Sequence, residues 1–232
     1  MSKRILSNAS NLQILYQDNH LLIVNKRIGD IVQGDKTNDK PLSEIAKEYI
    51  KNKFNKKGNV FLGVTHRLDR PTSGIVIFAK TSKALKRINK MFQNKEIEKF
   101  YWAIVKNKPE KSKSTLKHWL KKNSLNNFTK VYNKEVDGSK KAVMHYNIIK
   151  SLKSHFLLEI KLETGRSHQI RSQLGFIGSP IKGDLKYGFD RSNHNGGIHL
   201  HAKKIKFLHP VSKKIISIEA NPPDDLLWKN CI

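Results

Sequence analysis

The sequence predicts an α+β fold, with a mixed, largely antiparallel central sheet and a few flanking helices. Three observations carry that prediction. Short apolar runs rich in β-branched and aromatic residues outnumber the segments with helical spacing. Many of these runs follow one another through short turns, the habit of antiparallel neighbours rather than of βαβ crossovers. No glycine-rich phosphate loop of either familiar kind occurs, which sets aside a doubly wound nucleotide fold.

In chain order, Ile14-Leu15-Tyr16 and Leu21-Leu22-Ile23-Val24 read as strands around a turn at Asp18-Asn19. After Pro41, the residues Leu42, Ile45, Ala46, Tyr49 and Ile50 keep helical spacing and predict a helix to about Phe54. Residues 74–79 read as a buried strand. Ser82 is placed to cap a helix that turns Leu85, Ile88 and Phe92 inward and Lys83, Lys86, Arg87 and Lys90 outward. That outward stripe suits a phosphate backbone as well as it suits a solvated face. Residues 100–105 form another strand. The lysine-rich stretch 107–127 reads as a mobile basic insertion or an edge hairpin. Strands at 142–149, 155–162, 198–201, 205–208 and 215–220 complete the pattern.

The chain has 232 residues, 38% hydrophobic and 8% aromatic, as expected of a globular protein. No apolar run approaches the ~18 residues of a membrane helix. No hydrophobic segment follows Met1-Ser2-Lys3-Arg4 as a secretory signal requires, and the single cysteine, Cys231, has no internal partner. A soluble, cytoplasmic protein is expected. Lys and Arg number 45 against 19 Asp and Glu, a net charge of +26. Such a surplus favours a polyanion, nucleic acid first, through counterion release. An anionic membrane is a weaker partner, because no basic stretch carries one strong apolar face.

Half of that surplus falls in residues 80–141, which hold 18 basic and 5 acidic side chains. Only 8 of the 45 basic residues are arginine, and four of these sit in two short segments: Arg67 and Arg70, then Arg166 and Arg171. Guanidinium offers a planar, permanently charged fork that lysine cannot replace at a carboxylate or phosphate. In the first segment, Pro71 biases Arg70 away from helix and Gly74 permits a tight turn into the following strand. Asp69 therefore lies on a loop at the end of a buried strand, a rigid place to present a nucleophile or base, or simply an ion-paired carboxylate. In the second, a dense run from Thr164 to Arg171 follows an apolar strand, and its polar groups need partners, whether substrate or structural caps.

These residues carry a resemblance. His66-Arg67-Leu68-Asp69-Arg70-x-Thr72-Ser73-Gly74, with Thr164-Gly165-Arg166-Ser167-His168-Gln169-Ile170-Arg171 far downstream, resembles the RluA-type family of RNA pseudouridine synthases. Tyr16-x-Asp18-x-x-Leu21-x-x-Val24-Asn25-Lys26, Lys99-x-Tyr101-x-Ala103 and Gly178-x-Pro180-Ile181-x-Gly183-Asp184 are similar to the family as well. The matches run in register from about residue 12 to Pro223. The resemblance implies the pseudouridine synthase catalytic fold over residues 12–232 behind a short tail, 1–11.

It also implies an isomerase that breaks the uridine N1–C1′ bond, turns the base and rejoins it through C5, with no cofactor and no metal. By resemblance Asp69 is the nucleophile, or the anion that starts cleavage. Arg171 matches the arginine that pairs with that aspartate, and Tyr101 the tyrosine that stacks on the base and takes part in proton transfer. Ile170 would supply an apolar wall. Arg67 would fill the space left by a base flipped out of structured RNA. His66, Arg70, Thr72, Arg166, His168 and Gln169 complete the expected RNA-binding set.

Departures are few. Asn25-Lys26-Arg27-Ile28-Gly29 stands where relatives have Asn-Lys-Pro-Ala-Gly, which puts the local turn in doubt. Few residues precede the first strand, so the extra N-terminal RNA-binding domain of many relatives is expected to be missing. Target recognition would then fall to the basic surface of residues 83–90 and 106–122. His199-x-His201 with His194 has no carboxylate or cysteine at metal-ligand spacing, so no metal is expected. The partner is structured RNA, ribosomal or transfer, and the chain is expected to be a monomer. The rivals are a non-catalytic RNA-binding or ribosome-assembly factor and a basic DNA-binding protein. The first would not require Asp69, Tyr101 and Arg171 together, and the second has only charge behind it.

Overall fold

The computed structural model describes residues 5–35 and 37–232, so the first four residues of the expected tail lie outside the described residues. Along the chain come β1 (Ile14–Gln17), β2 (Leu21–Lys26), α1 (Leu42–Lys53), β3 (Gly63–Val64), β4 (Ser73–Ala79) and α2 (Ser82–Gln93). Then follow β5 (Glu98–Val105), β6 (Lys113–Asn123), β7 (Phe128–Tyr132), β8 (Lys140–Ser151), β9 (Phe156–Leu162), α3 (Gln169–Phe176) and a 3₁₀ turn at Leu185–Tyr187. The chain closes with β10 (Leu200–Leu208), β11 (Ile215–Glu219) and α4 (Leu226–Cys231).

The backbone groups into two compact units. One holds the described residues up to Ile97 with Ala202–Pro223; the other holds Glu98–His201 with Asp224–Ile232. In the first, β1, β2, β4 and β10 are neighbours in that order, with β3 beside β4 and β11 beside β10. The β1–β2, β2–β4, β3–β4 and β10–β11 pairs are antiparallel. Every residue of β4 is buried, as its unbroken apolar sequence requires. The turn between β1 and β2 is set by Asp18, whose Oδ1 accepts from the backbone N–H groups of His20 and Leu21, each at 2.7 Å.

Two details of α2 differ from expectation. The cap is Thr81, not Ser82: its hydroxyl accepts from the Ala84 N–H at 3.2 Å, while Ser82 is already helical. The buried face is Ala84, Ile88 and Met91, with Leu85 and Phe92 only half-buried. Lys83, Lys86 and Lys90 face solvent, but Arg87 donates to the Pro210 carbonyl at 2.9 Å, so its charge is engaged inside the unit.

In the second unit the strand order is β5-β9-β8-β6-β7, antiparallel throughout. The stretch 107–127 is not a mobile insertion. Most of it is β6, eleven residues laddered to β8 on one side and β7 on the other, so the edge-hairpin alternative describes it. The predicted strands 198–201 and 205–208 are one strand, β10. The intervening lysines continue it because Lys203 and Lys204 both reach Glu219 of β11. Two helices were not expected. The first is α3, which packs on β6 and β7. The second is α4, capped by Asp225 and anchored by Trp228 and Cys231 against Ile104 and Leu157. No helix among the described residues is long and apolar enough to cross a membrane.

Candidate active site

The Asp69 segment is stapled to β4 by side chains. Thr65 Oγ1 donates to the Ile77 carbonyl at 2.7 Å, and the Ile77 N–H donates to His66 Nε2 at 3.0 Å. His66 therefore carries its ring proton on Nδ1, and its ring rests 5.0 Å from that of Phe92. Leu68 is buried and pins the loop, and the Thr72 N–H closes a turn onto the Asp69 carbonyl at 3.0 Å. Gly74 ends the segment at φ 114°. A Cβ there would lie 2.4 Å from the Ala202 carbonyl oxygen, so only glycine fits.

Beneath this loop lies a buried cation. Lys26 is 1% exposed, and its Nζ donates to the carbonyls of Arg27 at 3.0 Å, Arg70 at 3.2 Å and Thr72 at 2.6 Å. Three ammonium protons meet three carbonyls, two of them within three residues after Asp69 in the chain. Asp69 is half-buried and Arg67 is exposed. Arg70 is half-buried and ion-paired with Asp39. Thr72 is buried, and its hydroxyl has no hydrogen-bond partner among the described residues.

In the second unit, Tyr101 lies on β5 opposite Ile160 of β9 and is 9% exposed. Lys99, two residues earlier and so on the same face, has its pKa lowered by burial. The loop before α3 is organised by Gln169. Its Oε1 accepts from the Thr164 hydroxyl at 2.8 Å and the Arg166 N–H at 3.0 Å, while Nε2 donates to the Val143 carbonyl at 3.1 Å. Arg166 is exposed, and its Nε donates to the Lys141 carbonyl at 3.0 Å. His168 adopts φ 53°, a left-handed conformation that starts the helix, and Ile170 is buried behind it.

Arg171 is 6% exposed and forks onto Asp184, with Nε to Oδ2 and Nη2 to Oδ1 both at 2.7 Å. Sequence reasoning gave no role to Asp184, Lys26 or Tyr187. The available signal was chemical: a lone arginine among lysines asks for a planar carboxylate, and Gly183-Asp184 supplies one. The histidines at 199 and 201 have structural partners. His199 Nδ1 takes a bond from Asn193 Nδ2 at 3.0 Å, and its Nε2 lies 3.4 Å from Asp225 Oδ2, an electrostatic contact more than a directed bond. His201 meets the Trp228 ring edge-on at 6.2 Å. No group of three or more His, Cys, Asp or Glu able to hold a metal ion occurs among the described residues.

The site residues thus fall on two platforms. His66, Arg67, Asp69, Arg70 and Thr72 occupy one stapled loop. Arg166, His168, Gln169, Ile170 and Arg171 occupy the turn into α3, with Tyr101 on β5 of the same unit. Near the second platform runs a basic hairpin. No acidic residue occurs from 111 to 134, and Lys111, Lys113, Lys117, Lys121, Lys122, Lys130 and Lys134 are all exposed.

A family model described as RNA pseudouridylate synthase matches residues 20–175, a span that includes Asp69, Tyr101 and Arg171. The chain is 33% identical over 225 residues to "Ribosomal large subunit pseudouridine synthase D" of Zymomonas mobilis, covering 93% of this chain and 70% of that one. It is 36% identical over 237 residues to "Ribosomal large subunit pseudouridine synthase C" of Buchnera aphidicola, covering 98% and 71%. Among solved structures, "Human RNA Pseudouridylate Synthase Domain Containing 4" superposes with a TM-score of 0.79 at 23% identity, over 95% of this chain and 93% of that one. That likeness speaks for the fold.

Proposed function

The chain belongs to the RNA pseudouridylate synthase family, and from that premise we propose that it isomerises uridine to pseudouridine in ribosomal RNA. The reaction breaks the N1–C1′ bond and forms C5–C1′; C5 loses its proton and N1 gains one. Atoms and electrons balance within the nucleotide, so neither oxidant nor metal is required by the overall change.

Asp69 supplies the carboxylate that initiates cleavage. Tyr101 stacks on the base and assists proton transfer, and Arg171 supplies fixed positive charge. Arg67, exposed on the Asp69 loop, fills the gap left by the extruded nucleotide. Contacts from His66, Arg70, Thr72, Arg166, His168, Gln169 and Ile170 complete the RNA-binding set, some through substrate and some by holding the two loops. RNA affinity comes from the exposed lysines of α2 and of the β6–β7 hairpin, read by shape and phosphate rather than by base sequence. The protein acts as a monomer in the cytoplasm, with residues 12–232 as its catalytic domain.

The observation that carries this reading is the Asp69 loop, built on a buried lysine and set within the family match. Mapping pseudouridine in ribosomal RNA from cells with and without the gene tests it. One or a few uridines are expected to lose the modification and to regain it with wild type but not with Asp69→Ala. An unchanged map, with tight RNA binding retained, would favour a binding factor instead.

A further inference from the structure

Tyr187 has no role in the chemistry above, yet four residues of the second unit converge on it. Its ring lies beneath the Arg171 guanidinium, with Cζ 5.2 Å from the centroid, and stacks on Phe128 at 5.0 Å and 23°. Its hydroxyl accepts from the Thr129 N–H at 2.9 Å and lies 2.7 Å from His168 Nδ1. Burial raises the phenol's pKa, so the proton stays on. The hydroxyl is thus tied on two sides, to the Thr129 N–H and to the His168 ring.

Arg171 is thereby held twice. The Asp184 fork fixes the guanidinium by two hydrogen bonds, and the Tyr187 ring face lies against it as a cation–π contact. The same tyrosine anchors the basic hairpin, because Phe128 and Thr129 open β7. Two further bonds reinforce that root. Lys186 donates to the Asn127 carbonyl at 3.1 Å, and Thr129 Oγ1 donates to the Ser167 carbonyl at 3.1 Å. The Tyr187 side chain thus joins the root of the hairpin to Arg171, beside the direct packing of α3 on β6 and β7.

We propose that Tyr187 is a positioning residue that aligns Arg171 and couples its alignment to the β6–β7 hairpin, so that RNA held along the hairpin steadies the arginine. The proposal rests on reading the chain as an RNA pseudouridine synthase and adds a mechanical link between RNA docking and chemistry. It assigns Tyr187 no contact with the reacting base.

The test uses the full chain as wild type, Tyr187→Phe, Tyr187→Leu, Phe128→Ala and Phe128→Ala/Tyr187→Leu. Pseudouridine formation is followed on ribosomal RNA from cells lacking the gene. Tyr187→Leu is expected to lower kcat by up to about a hundredfold with KM nearly unchanged, as misplacement of a site group does. Tyr187→Phe, which keeps the ring and loses the hydroxyl, should fall between. Phe128→Ala should lower kcat as well and add little to Tyr187→Leu, the mark of a shared route. Independently of activity, the Arg171 Nε–H resonance should exchange with solvent at least about tenfold faster in folded Tyr187→Leu than in wild type. Unchanged kcat in Tyr187→Leu, fully multiplicative losses, or unaltered Nε–H exchange would each overturn the proposal. A wild type that forms no pseudouridine while Nε–H exchange still rises on Tyr187→Leu would instead overturn the functional reading and the coupling to RNA, leaving only the alignment of Arg171.

Discussion

Arg171 and Asp184 meet in a fork of two parallel 2.7 Å hydrogen bonds, with both side chains almost wholly excluded from solvent. Burying two charges is expensive, and the arrangement is tolerable only because both are matched in geometry. Asp184→Asn removes the charge and one acceptor while keeping the shape. Denaturant unfolding should show a loss of about 3 kcal/mol, in the range for breaking a buried pair from one side. Wild-type stability in this variant would mean that the fork contributes nothing net.

Lys26 tests the footing of the Asp69 loop. In Lys26→Met the carbonyls of Arg27, Arg70 and Thr72 lose their common donor inside the protein. Unfolding midpoints should report a loss of at least about 2 kcal/mol. Turnover should fall more than RNA affinity, because the basic surface is untouched. Equal losses in both would place Lys26 in general folding only.

Acid sensitivity should reside partly in α4. Burial by itself would raise the pKa of Asp225, but the contact with His199 and the bond from the Trp228 N–H outweigh it and hold the carboxyl below its usual 3.8. A carboxyl depressed in the folded state stabilises above its unfolded pKa, and that contribution is lost as pH falls through the folded value. Stability measured from pH 6 downwards should therefore begin to decline near pH 4, with release of the Trp228 fluorescence environment. Asp225→Asn should flatten that decline, and an identical acid profile for the variant would refute the assignment.

The hairpin lysines predict a salt signature. Lys121 and Lys122 are adjacent, exposed and free of ion pairs among the described residues. If both meet phosphates, replacing them with glutamine should lower the slope of log K against log salt by about 1.5. An unchanged slope would move the RNA track away from this hairpin.

Much of the fold was legible because its strands announce themselves. β2 and β4 each carry an unbroken apolar run, Leu21 to Val24 and Ile75 to Ala79, and both ends of α1 follow from Pro41 and apolar spacing. α3 was not legible, because its buried face is polar: Gln169, Arg171, Ser172 and Gln173 are held by hydrogen bonds rather than by apolar periodicity. α4 is too short for any period to show. β10 was split because two lysines read as punctuation, whereas they reach a glutamate on the neighbouring strand. In the site, sparing use of arginine pointed to both loops. The supports were hidden for one reason: Lys26, Asp184 and Tyr187 acquire meaning only from groups distant in sequence.

The burial of Lys26 has a practical consequence. In a protein crowded with solvent-facing amines, this one is sealed beneath the turn that carries Asp69. An acylating reagent will modify its neighbours at once and reach Nζ only when that turn lifts. The rate at which position 26 gains an acyl mark, read peptide by peptide in a mass spectrometer, is thus a clock for how often the loop opens.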